Sequence, residues 1–130
     1  MIAVDTNILV RLFTNDDKAQ AKFAEELITN NTIFVPKSVL LETEWVLRYT
    51  YELSPEVVYN TFEGLLGLPQ VVIEDPACII KAMSWYKQGF DFADAQRVFH
   101  YFYPARGEYV DDEVLRIGAK FRNAGAQGAD

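Results

Sequence analysis

The sequence predicts an α/β fold: a three-layer sandwich in which a short, mainly parallel sheet of about four strands is flanked by helices. Apolar runs too brief for helices alternate along the chain with longer segments of helical periodicity. The 130 residues match one domain, since domains most often run to about 100–150 residues. Half of the residues are hydrophobic, 14% are aromatic and 24% are charged, a composition that builds a packed core and excludes a disordered chain. The expected organisation is a single domain over residues 1–124 and a flexible tail over 125–130, where Gly and Ala leave little to pack.

Ile2-Ala3-Val4 is too short for a helix and reads as a strand, and Asp5-Thr6-Asn7 supplies capping side chains before the apolar run that starts at Ile8. A turn over 14–17 opens a second helix carrying Ala21, Phe23, Ala24, Leu27 and Ile28. Residues 32–35 form a strand closed by Pro36, after which Ser38 is placed to cap a helix over 39–51. Ser54-Pro55 starts a fourth helix, with proline in the first turn where its missing N–H has no cost, and Gly67-Leu68-Pro69 ends it. The β-branched run over 70–74 is a buried strand, and Asp75-Pro76 begins a helix that stops at Gly89. Asp91 opens a helix to about residue 103, residues 108–110 form a last strand, and Asp111-Asp112 cap a helix reaching about residue 123.

Nineteen Asp and Glu against 12 Lys and Arg give a net charge of −7, which disfavours a generalised electrostatic grip on a polyanion or an anionic membrane. Cys78 is the sole cysteine, so no intramolecular disulfide forms, and its apolar neighbours mark it as a small core residue in a reducing compartment. No apolar stretch approaches the roughly 18 residues that cross a bilayer, and the expected setting is cytoplasmic, with no membrane partner.

Ligands of open parallel sheets bind outside the carboxyl ends of the strands, so acidic residues there need separate inspection. Asp5 follows the first strand, Asp111 follows the last, and Asp91 and Asp94 open the preceding helix. Each is also a good helix cap, which is the plainer explanation of any one alone. Glu42 is different. At about 100° per residue it falls between Tyr49 and Val46, beside Trp45 and Val39, inside an apolar arc expected to face the core. Glu44 has Arg48 four residues on, the spacing of a solvated pair. A core-facing carboxylate without a partner costs several kcal/mol, so Glu42 requires a cation. Crowded carboxylates offer the all-oxygen ligand set that suits Mg²⁺ or Mn²⁺. With His100 the only histidine, neither a zinc site nor a Ser/His/Asp triad is supported, and no strand is followed by a Gly-rich phosphate loop.

Asp5-Thr6-Asn7-Ile8-Leu9-Val10, Leu40-Leu41-Glu42-Thr43-Glu44-Trp45-Val46-Leu47 and Asp91-Phe92-Ala93-Asp94-Ala95, in this order and spacing, resemble the PIN-domain family, most closely the VapC-type toxins of type II toxin–antitoxin pairs. The resemblance covers nearly the whole chain. It implies a metal-dependent ribonuclease (a hydrolase) whose acidic quartet is Asp5, Glu42, Asp94 and Asp111, both the catalytic set and the ligands of Mg²⁺ or Mn²⁺. Asp91 matches an acidic position before the third acid, and Thr6 and Asn7 match small polar residues supporting the first. Where the family has Thr or Ser two residues before the last acid, this chain has Tyr109 and then doubles the acid, so Asp112 is an alternative to Asp111.

The resemblance further implies an RNA substrate, a homodimer and a cognate antitoxin protein as partners. The apolar groups around residues 39–51 fit either burial in the fold or an interface rich in Trp and Tyr. Two alternatives remain from other classes. One is a PIN fold weakened in catalysis that binds RNA or protein, which the altered segment at Tyr109 favours. The other is a receiver-like signalling domain, which expects an acidic pair after the first strand and a lysine after the last, where this chain has Asp5 alone and Asp111-Asp112.

Overall fold

The structure is a computed structural model that describes residues 1–102. It divides into two compact units between Asp75 and Pro76.

The first unit holds β1 (Ile2–Ala3), α1 (Thr6–Thr14), α2 (Lys18–Asn30), β2 (Ile33–Val35), α3 (Lys37–Tyr49), α4 (Pro55–Leu66) and β3 (Val71–Ile73). The strands form a parallel sheet in the order β1-β2-β3, with Ile2 opposite Ile33, Ala3 opposite Phe34 and Val35 opposite Ile73. Parallel neighbours require a crossover, and a helix pair supplies each one here: α1 and α2 between β1 and β2, α3 and α4 between β2 and β3. Ile33 and Val35 of the central strand are fully buried. The expected α/β class is therefore present, with three strands among the described residues. The strand expected over 108–110, the helix after it and the tail lie outside them.

The starts of α1, α2 and α4 carry side-chain caps from their own N-cap residues, and that of α3 does not. Asp5 Oδ1 accepts from the Ile8 N–H at 3.1 Å, Asp17 Oδ1 from the Gln20 N–H at 3.1 Å, and Ser54 Oγ from the Val57 N–H at 3.3 Å. The exception is α3. Ser38 does not cap it: the helix begins one residue earlier, at Lys37, and Pro36 in the cap position offers no side-chain acceptor. The cap comes instead from Glu74, just past β3, whose Oε1 accepts from the Lys37 N–H at 2.9 Å.

In the second unit, α5 (Pro76–Lys87) packs on α6 (Phe92–Phe102). Cys78, Ile79, Ala82 and Tyr86 of α5 and Phe92, Ala95 and Val98 of α6 are buried, and the Tyr86 and Phe92 rings meet edge-on at 5.4 Å. Cys78 is fully buried, as its neighbours in the sequence predict. Gly89, at φ +102°, closes α5: its N–H bonds back to Tyr86 O and the Phe90 N–H to Trp85 O, a left-handed stop that a side chain would strain.

Candidate active site

Asp5 is the second residue beyond β1 and the N-cap of α1, with an exposed side chain. The bond from the Ile8 N–H fixes Oδ1 and leaves Oδ2 without a hydrogen bond among the described residues. Thr6 and Asn7 form the first turn of α1. Glu42 lies on α3, which leaves the carboxyl end of the neighbouring strand β2, and α1 packs against α3. Asp5 and Glu42 thus belong to adjacent strand-to-helix connections of one unit.

The burial expected for the two glutamates of α3 is reversed. Glu42 is exposed, and it shares the outer side of the helix with Trp45 and Tyr49, which are 56% and 58% exposed with ring centroids 5.3 Å apart. Glu44 is only 2% exposed and sits beside the fully buried Leu40, Thr43 and Leu47. The helix is apolar on nearly every side, so the wheel located an apolar arc but not the arc that faces the core. Arg48 forms the expected pair with Glu44, through Nε to Oε2 and through Nη2 to Oε1 at 3.5 Å. The pair is partly buried, not solvated, with Arg48 laid 4.6 Å over the Tyr49 ring. Because Glu42 is exposed, burial does not oblige it to find a cation. It is an accessible carboxylate with no ion-pair partner among the described residues.

In the second unit Asp91 caps α6, its Oδ1 accepting from the Asp94 N–H at 3.0 Å. Asp94 lies in the first turn, half-buried, with Arg97 at 3.8 Å. Asp111 and Asp112 lie outside the described residues. Among the described residues no three His, Cys, Asp or Glu side chains form a group able to hold a metal ion. The donors Asp5 and Glu42 are nonetheless of the right chemical kind for Mg²⁺ or Mn²⁺: oxygen-only, anionic, accessible and unpaired.

One acidic cluster escaped the sequence reading. Glu74 and Asp75 follow β3 as Asp5 follows β1, and both engage Lys37, Glu74 at the backbone and Asp75 at Nζ, 3.5 Å away. The count of acids after strands that selected Asp5 and Asp111 would have selected these two as well.

The architecture is that of an α/β domain with acidic side chains beyond the carboxyl ends of a short parallel sheet. A family model for the PIN domain matches residues 2–96, nearly three quarters of the chain. The chain belongs to the PIN-domain family, whose members are in general nucleases. The matched span includes Asp5, Glu42, Asp91 and Asp94 and ends before Asp111, and it sets aside the receiver-like reading. A comparison with curated proteins finds no match. Among the described residues no helix is long and apolar enough to cross a membrane.

Proposed function

We propose that the protein is a metal-dependent endoribonuclease that hydrolyses RNA phosphodiester bonds and acts in the cytoplasm as the VapC-like toxin of a toxin–antitoxin pair. The observation that carries this reading is the pair of exposed carboxylates, Asp5 and Glu42, which have no ion-pair partner among the described residues and stand on adjacent strand-to-helix connections inside the PIN match. Asp5, Glu42, Asp94 and Asp111 would hold Mg²⁺ or Mn²⁺, with Asp112 the alternative fourth acid. A bound divalent cation supplies Lewis-acid stabilisation of charge on the phosphate.

The chain's own residues prepare that site. The Ile8 N–H orients Asp5 by holding one carboxylate oxygen, so the other is presented without rotational freedom to lose. Thr6 and Asn7 support Asp5 from the first turn of α1. Arg97 restrains Asp94, and with Arg11 it offers positive charge to the RNA backbone, which an acidic protein must grip locally. The exposed Trp45–Tyr49 pair supports an interface on α3 for a homodimer or an antitoxin, because paired aromatics left in water are typical anchors of protein contacts.

A second reading, a PIN-fold module that binds RNA or protein without cutting, draws on Tyr109, which stands where the family has Thr or Ser two residues before the last acid. A crystal soaked in Mn²⁺ separates the two. Anomalous density bounded by Asp5, Glu42 and Asp94 supports the nuclease, and density elsewhere or none supports the binding module.

A further inference from the structure

We infer that Glu74 is a positioning residue for the metal ligand Glu42, acting through the N-terminus of α3. The inference rests on the reading of Glu42 as a ligand. Helix α3 carries Glu42 in its second turn, yet its start has no side-chain cap of its own: Pro36, in the cap position, accepts from the Val39 and Leu40 N–H groups through its carbonyl but offers nothing to the Lys37 N–H. The acceptor for the Lys37 N–H comes from 37 residues away. Glu74 Oε1 accepts the Lys37 N–H at 2.9 Å, and Asp75 Oδ2 takes Lys37 Nζ at 3.5 Å.

Glu74 is itself fixed by the sheet. Its N–H donates to Val35 O at 3.0 Å, continuing the β2–β3 ladder one step past the Val35–Ile73 pair. Asp75, held at φ +51°, then turns the chain out of the strand. One carboxylate thus ties the end of β3 to the start of α3, beside the end of β2. Since a helix rises about 1.5 Å per residue, fixing Lys37 fixes the height of Glu42, five residues on, above the sheet edge that bears Asp5. Glu74 is exposed, so a role in packing does not account for it. Partners that hydrogen-bond metal ligands directly govern affinity by roughly 10–100-fold, and a cap acting one step further out belongs at the low end of that range.

The test is Mn²⁺ binding by the full chain, followed by electron paramagnetic resonance of the free ion, with thermal melts in parallel. Glu74→Ala is expected to weaken Mn²⁺ roughly tenfold. Glu74→Gln keeps an oxygen that can accept the Lys37 N–H and should stay within about twofold of wild type, whereas Glu74→Asp keeps the charge, loses the reach and should resemble Ala. In a Glu42→Gln background, Glu74→Ala should cause no further loss. Three results overturn the inference: Glu74→Ala binding Mn²⁺ as wild type does while melting lower, which leaves a cap and nothing more; Glu74→Asp binding as wild type does while Gln fails, which makes charge the cause; or additive losses with Glu42→Gln. Should Glu74→Ala fail to fold, the Gln and Asp variants decide alone. Wild type that binds no Mn²⁺, or Glu42→Gln that binds it unchanged, defeats the metal reading of Glu42 itself and the inference with it.

Discussion

Replacing Arg48 with Met tests how deeply the α3 ion pair is set in the fold. Glu44 is 2% exposed, and Arg48 reaches it through two nitrogens. An exposed pair at this spacing contributes about 0.3–0.5 kcal/mol, whereas stripping a buried carboxylate of its partner costs about 3–5 kcal/mol. The Arg48 side chain keeps 23% exposure, which admits some solvent screening and places the expected loss near the lower figure, about 3 kcal/mol. At about 4 °C per kcal/mol for a chain of this size, Tm should fall by about 12 °C. Urea unfolding followed by circular dichroism gives the same quantity as a shift in midpoint at constant slope. The double variant Glu44→Leu with Arg48→Met, which removes the charge along with its partner, should recover most of the loss. A loss below about 0.5 kcal/mol for Arg48→Met would place Glu44 in water and refute the reversed burial of the two glutamates.

Asp5→Asn should leave stability within about 0.5 kcal/mol, because Asn caps helices as well as Asp, while Asp5→Ala loses about 1 kcal/mol with the cap; equal melts for the two would show that the bond to Ile8 contributes nothing. Thr43 Oγ1 is buried with no hydrogen-bond partner among the described residues, unlike Thr14 and Thr61, which each bond a carbonyl four residues back. Thr43→Val should therefore raise stability by about 1 kcal/mol, and a loss of that size would reveal a bonded hydroxyl. Tyr51 titrates above the usual 10.0, chiefly through its hydrogen bond to Asp16, with burial adding to the rise and the bond to Thr14 opposing it. A raised phenol favours the neutral form in the fold, so this stabilisation is complete below about pH 10 and is lost as pH climbs through the folded value. Ultraviolet titration of Asp16→Asn against wild type should show one tyrosine moving down; superimposed curves would exclude the Asp16 bond.

The parallel sheet and its helices were legible because each strand is a short apolar run, and Asp5, Ser54 and Asp91 cap helices where the sequence places them. The start of α3 was not, because its cap comes from Glu74, and local pattern carries no information about a partner 37 residues away. Glu42 was singled out from a wheel whose apolar arc faces solvent through Trp45 and Tyr49. Periodicity identifies an apolar stripe, but in a helix with apolar groups all round only tertiary packing decides which stripe the core takes. The family motif selected the same glutamate for an unrelated reason, its position in the order of acids, and that reason survives the reversal.

The most direct measurement for the central claim is cleavage of single-stranded RNA by the purified chain with Mn²⁺ or with EDTA, alongside Asp5→Asn. Cleavage should require the ion and fall at least about a hundredfold in Asp5→Asn, with the variant melting as wild type does. Cleavage that persists in EDTA, or an Asp5→Asn variant as active as wild type, would contradict that claim.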